Sequence, residues 1–185
     1  NPATGARVVA GSIPLNSDLT KVLLITSTKS KSLWILPKGG VEKDELTLAD
    51  IDNKDFALSA KRETWEEAGV EGVVVKKLGV FRDKRDEKIL KKMDKLCLDD
   101  RSKNLDEMLK NDLIPRTEYH MYEIDVKTLE NKYPEAHKRE RKWCDYKTAK
   151  YELLRSRRLE LLEALNCSRI VKNDDIAIPD HSRLI

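Results

Sequence analysis

Nowhere in its 185 residues does the sequence hold an apolar run long enough to span a bilayer, and no secretory hydrophobic region is present. No membrane partner is therefore expected. Cysteine is scarce: Cys97, Cys144 and Cys167 are odd in number, far apart, and form no C-x-x-C pair. That excludes a disulfide framework or a thiolate zinc site and points to reduced thiols in an intracellular protein, cytoplasmic or nuclear. Aromatic residues are only 5% of the chain, which argues weakly against an adenine sandwiched between rings. Charge of one sign is also missing in bulk: a net charge of +3 is too small to coat nucleic acid, so local basic clusters matter more. The chain opens on Asn1 rather than Met, so a trimmed start is expected, with any targeting segment lying upstream.

What is present is a single domain's worth of alternating elements. "ARVVAGSIPL" and "KVLLITS" are β-branched runs around "NSDLT" and predict a hairpin. "SLWILP" predicts a third short strand ended by Pro37, and "KGG" a tight turn freed by its glycines. From Asp55 to Ala68 the positions Phe56, Ala57, Ala60, Thr64 and Ala68 recur with helical spacing, and Gly69 supplies the stop. "EGVVVKKLGVF" and "TEYHMYEIDV" predict strands; "DYKTAKYELLRS" and "RLELLEALN" predict amphipathic helices covering the sheet. The charge-dense stretch at about 84–113 predicts an inserted, lid-like helical pair, and the tail after Asn173 a loosely held end. These elements predict an α/β sandwich on a mixed sheet, one domain over 1–185.

"RETWEEAGV" concentrates charge. Glu63, Glu66 and Glu67 fall at i, i+3 and i+4, side by side on a helix, where they repel one another. A solvated acidic face is the commoner explanation for glutamates taken alone. A hard divalent ion is the other: Mg²⁺ takes a few carboxylates together with substrate phosphates.

The surroundings favour the metal. "PKGGVEKDE" precedes the helix, giving Gly39-x5-Glu45 and then Arg62-Glu63-Thr64-x-Glu66-Glu67-x-Gly69-Val70. This pattern, spanning 39–70, resembles the Nudix box of hydrolases that cleave linked nucleoside diphosphates. It departs from that box in two ways. Glu45 and Arg62 are separated by sixteen residues instead of seven, which places an insertion at about 46–55, and Thr64 stands where an aliphatic residue is usual. The resemblance implies a Nudix-type α/β/α sandwich with a mixed sheet and a charged helical insertion. It also implies that Glu63, Glu66 and Glu67, with the Lys38 backbone carbonyl, hold Mg²⁺ (or Mn²⁺), and that Glu67 above the others helps deprotonate the attacking water. Arg62 and Glu45 would pair to support the box. Lys38, Gly39 and Gly40 would meet a phosphate.

Further segments, "TGARVVAG", "PRTEYH", "HKRERKW" and "LLEALN", extend a resemblance to the fungal diphosphoinositol polyphosphate phosphohydrolases. Those enzymes also cleave diadenosine polyphosphates and inorganic polyphosphate. By that resemblance Arg7, Ser27, Arg116, Arg141 and Arg157, with Lys31 in a shifted stretch, would hold substrate phosphates. Read as a strand, "HKRERKW" puts Arg139 and Arg141 on one face; Arg116, Glu118, His120 and Tyr122 share another. His120 would face the phosphates or serve as a hydrogen-bonded structural residue. The expected activity is removal of the β-phosphate of inositol pyrophosphates and cleavage of diadenosine polyphosphates. A hydrolase of capped RNA and a non-catalytic inositol-phosphate- or polyphosphate-binding module remain as alternatives.

Overall fold

The computed structural model describes residues 6–83 and 117–172. The expected insertion at about 84–113, Arg116 and the tail after Asn173 lie outside the described residues.

Strand β1 (Arg7–Leu15) turns at 16–21 into β2 (Val22–Thr26), as the run of β-branched residues predicts. The turn is closed by Asn16, whose side-chain oxygen accepts from the Lys21 N–H at 2.9 Å. Two short strands follow, β3 (Trp34–Ile35) and β4 (Lys38–Gly40). After a 3-10 turn at Lys43–Glu45 come α1 (Leu48–Asn53) and α2 (Ala57–Ala68), then β5 (Val70–Arg82), β6 (Thr117–Leu129) and β7 (Arg141–Cys144). Helices α3 (Tyr146–Arg155) and α4 (Leu159–Asn166) complete the described chain.

The sheet runs β3-β2-β1-β6-β5, with β4 also paired to β1 and β7 to β2. It is mixed: β1 and β6 are parallel through nine registered pairs, and the other pairings are antiparallel. Alternate residues of β6 show that helices cover both faces. His120 and Tyr122 meet Phe56 at the start of α2, whereas Tyr119 meets Arg158 beside α4 and Glu123 meets Arg169. The result is the expected α/β/α sandwich. Its main core packs Ile13, Leu23, Ile25, Met121, Leu153, Leu161 and Leu165, all fully buried.

Two expectations change. "KGG" is a strand rather than a tight turn: Lys38, Gly39 and Gly40 pair with Gly11, Ala10 and Val9 of β1. The insertion inside the motif is a helical turn, α1, opened by a Thr47–Asp50 capping box and closed by Lys54 in the left-handed region. A self-capped element of this kind lengthens a loop without disturbing the helix that follows.

Helix α2 is anchored at its start by Tyr122. The Phe56 N–H donates to the Tyr122 hydroxyl at 2.7 Å, and that hydroxyl donates to Asp55 at 3.1 Å. Removing the hydroxyl leaves a buried N–H without an acceptor, so Tyr122→Phe is expected to lower stability by about 1–3 kcal/mol. Urea unfolding of the two proteins would show it; an unchanged midpoint would mean that the anchor is dispensable.

Candidate active site

The site grows from one face of α2. Ala60, Thr64 and Ala68 sit fully buried against the sheet, which fixes the rotation of the helix and sends Glu63 and Glu67 along its flank toward β4. Thr64 accounts for its own departure from the motif. Its hydroxyl donates to the Ala60 carbonyl at 2.6 Å and lies 2.6 Å from the Ser12 hydroxyl of β1. A polar pair thus stands where the motif has an aliphatic contact, and both hydroxyls are satisfied.

Arg62 gathers the acidic residues. Its Nε donates to Glu45, its Nη2 donates to the Gly40 carbonyl at 2.9 Å, and its Nη1 lies 2.9 Å from both Glu63 and Glu66. Ser59 donates to the second Glu45 oxygen at 2.7 Å. The expected Glu45–Arg62 pair is therefore formed despite the longer spacing. Burial opposes charge on Arg62, but its bond to Glu45 and the charges of Glu63, Glu45 and Glu66 outweigh it and raise the pKa.

Glu67 is held from the other side. Its Oε2 accepts the Lys38 N–H at 2.9 Å, and its Oε1 accepts from Arg139 at 2.5 Å. Lys38 thus meets the cluster through its N–H, where the resemblance implies its carbonyl. Arg139 joins the cluster although the expected site residues did not include it. It lies before β7 rather than on a strand, donates to the Thr26 carbonyl at 2.9 Å and pairs with Glu135, tying β2 and the β6–β7 loop to Glu67. Only its place in a basic run marked it, because its acidic partner lies 72 residues away.

Burial pushes the Glu63 carboxyl up to about 7; Arg62 opposes this, and the negative charges of Glu67 and Glu66 reinforce it. Glu67 is also raised, chiefly by burial, against the pull of Lys38 and Arg139. Two buried carboxylates that resist ionisation, beside a more exposed third, form a donor set of hard oxygens suited to a divalent cation. Each carboxylate is nevertheless turned onto an arginine, and among the described residues no three acidic, His or Cys side chains are grouped to hold a metal. The donor chemistry fits a metal; coordination requires the carboxylates to swing off Arg62 and Arg139.

Gly39 serves the site by close approach. A Cβ there would lie 2.0 Å from the Glu63 carboxyl carbon. Gly40 is looser, its position 3.6 Å from an Arg7 nitrogen, which places Arg7 beside β4. Ser27 follows Thr26, the residue whose carbonyl holds Arg139, and begins a loop whose exposed part carries Lys31. Arg157 is exposed in the α3–α4 turn with φ 53°, a left-handed conformation unfavourable for a non-glycine residue.

Two expected substrate ligands are otherwise engaged. Arg141 donates to the Ala68 and Glu130 carbonyls at 2.8 and 2.7 Å and lies over the Tyr133 ring, so it closes the C-terminal end of α2. His120 is buried against Phe56, the ring centroids 4.6 Å apart and edge to face, as part of the packing beneath α2.

An α/β/α sandwich whose acidic helix is bound by one arginine to a glycine-bearing strand defines a Nudix-type hydrolase fold. The comparisons agree: the NUDIX domain description matches residues 5–165, and the chain belongs to the Nudix family. It is similar to diphosphoinositol polyphosphate phosphohydrolase 3-alpha of Mus musculus, 41% identical over 68 residues, or 37% of this chain and 36% of that protein. Diphosphoinositol polyphosphate phosphohydrolase 2 of Rattus norvegicus is 38% identical over 63 residues, covering 34% and 30% of the two chains. This chain therefore spans about a third of the length of those relatives, and the similarity occupies less of it than the scattered sequence segments suggest. Among solved structures, a NUDIX hydrolase from Nitrosomonas europaea aligns with a TM-score of 0.59 at 11% identity, over 88% of this chain and 87% of that one. The E. coli ORF135 protein aligns with a TM-score of 0.55 at 19% identity, over 95% and 99%. Both show the fold.

Two outcomes follow from this geometry. Gly39→Ala should displace Glu63 and weaken divalent-ion stabilisation about 10–100-fold in ion concentration, read as the shift of melting temperature with added Mg²⁺. An unaltered titration would separate Gly39 from the site. The His120 imidazole is held down to about 4, first by burial and then by the charges of Lys77 and Lys54, against Glu118. Below its ordinary value the unfolded chain takes up a proton that the folded protein refuses. Stability should therefore be full above about pH 6.5 and decline toward pH 4, by on the order of 3 kcal/mol from this residue. Urea midpoints across that range should fall less steeply for His120→Gln; parallel slopes would assign the acid sensitivity elsewhere.

Proposed function

We propose that the chain hydrolyses phosphoanhydride bonds, removing the β-phosphate of diphosphoinositol polyphosphates and cleaving diadenosine polyphosphates and inorganic polyphosphate, with Mg²⁺ as cofactor. The observation that carries this reading is the packing of Glu63 and Glu67 against β4, beside the Lys38 peptide and near Arg7, with Glu66 joined to Glu63 through Arg62. The substrate class is supported by the names of the relatives and by the placing of Arg7 beside β4.

Glu63, Glu66 and Glu67 would hold the ion, which when bound neutralises phosphate charge and acidifies a water molecule. The chain's own groups divide the remaining work. Glu67, with one oxygen held by the Lys38 N–H and the other by Arg139, would have to release Arg139 to reach the ion and is poorly placed to act as a mobile base. Glu66 has the most exposed side chain of the three, at 37%, and is best able to take a proton from an incoming water. Arg7, Lys31 and Arg157 carry side chains that form no ion pair with a described residue, and they suit the non-reacting phosphates.

The test is phosphate release from a diphosphoinositol pentakisphosphate in Mg²⁺, beside diadenosine pentaphosphate. Glu66→Gln and Glu67→Gln should each lower turnover about 100-fold or more. Retained turnover in either variant would overturn that residue's role. Failure of the parent protein on both substrates would overturn the substrate assignment.

A further inference from the structure

The outer face of α2, turned away from β4, carries a groove of about 650 Å³ against the start of β5 and the end of β6. Its floor is apolar, made by Leu58, Trp65, Val70 and Val73, and Leu58 and Val73 are exposed although both are large and hydrophobic. Lys61 and Lys127 line it with positive charge, Glu71 adds one carboxylate, and Arg62 forms a wall shared with the acidic cluster. The pairing of β5 with β6 slips at Glu71/Gly72, where the close approach of the Asp125 carbonyl excludes a side chain on Gly72. Bulges of this kind re-aim side chains beside binding sites. An indole with two ammonium groups and one carboxylate around it is complementary to a flat ring, an anion and a diol. Volume and lining both fall within the range of small-ligand sites.

We propose that this groove is an accessory nucleotide site. The base stacks on Trp65, the ribose hydroxyls donate to Glu71, and the phosphates lie between Lys61 and Lys127. The site is separate from the carboxylates of the proposed reaction and does not depend on that reading.

The probe is ADP, titrated calorimetrically into the full chain with divalent ions chelated, beside adenosine and inorganic pyrophosphate. One ADP should bind per chain, about tenfold tighter than either fragment, since ring and anion each contribute. Trp65→Leu and the double variant Lys61→Glu/Lys127→Glu should each weaken ADP at least fivefold, while Glu67→Gln binds it unchanged. The lysine pair lies at the surface, so that variant keeps the test open if Trp65→Leu fails to fold. The proposal falls if the double variant binds ADP as the parent does. It falls equally if pyrophosphate alone matches ADP, since the ring would then contribute nothing, or if Glu67→Gln abolishes binding, which would place the nucleotide at the carboxylate cluster.

Discussion

The guanidinium of Arg62 is the interaction on which the site depends. It bonds Glu45 from the segment before α1, the Gly40 carbonyl of β4, and Glu63 and Glu66 of its own helix. A planar fork with five donors can meet several acceptors in different directions; an ammonium on a flexible stem cannot hold the same set. Without it, buried Glu63 would face Glu66 and Glu67 with no compensating charge. Partial burial makes the attraction stronger than at an open surface, and breaking such a set leaves uncompensated charge behind. The same residue therefore joins strand to helix and makes the crowding of carboxylates tolerable.

Around that knot, small residues matter for what they leave room for. Gly39 is extended backbone within β4, and its value lies in the missing Cβ, whose place is taken by the Glu63 carboxylate. Gly69 is the different case: φ 63° at the end of α2 needs a residue at ease in the left-handed region, and its N–H closes the last turn on the Trp65 carbonyl. Arg141 then covers the same helix end with two bonds to carbonyls, a favourable place for a cation at the negative end of the helix dipole.

Much of this was legible in the sequence, for identifiable reasons. The spacing of Phe56, Ala60, Thr64 and Ala68 with a glycine stop is a local signal, and the helix followed it. The β-branched runs gave the long strands, and the parity of Glu118, His120 and Tyr122 correctly put them on one face. What escaped was non-local. "KGG" has no β-branched residue and reads as a turn; it becomes a strand because β1 supplies a ladder partner. The strand reading of "HKRERKW" held only from Arg141 onward. Arg139 faces the site through a loop, at a distance along the chain that no short-range pattern encodes.

The basic residues show the same limit more sharply. A tally of arginines near a phosphate-cleaving motif suggests a ring of substrate ligands, yet most of those in the described chain already have protein partners. Arg139 is spent on Glu67 and Glu135, Arg158 on Glu160 and Tyr119, Arg155 on Glu152, and Arg169 on Glu123 and Asp125. A guanidinium bound to a carboxylate contributes little net charge to a distant phosphate and would have to break that pair to contact one. Arg157 is not so engaged: its side chain forms no ion pair with a described residue. It is held in an unfavourable backbone region at an exposed turn, where Ser156 is tied to the Trp34 carbonyl and Arg158 to Tyr119. Anchored neighbours on both sides hold Arg157 in that backbone region, so its conformation is imposed by the fold rather than preferred by the residue.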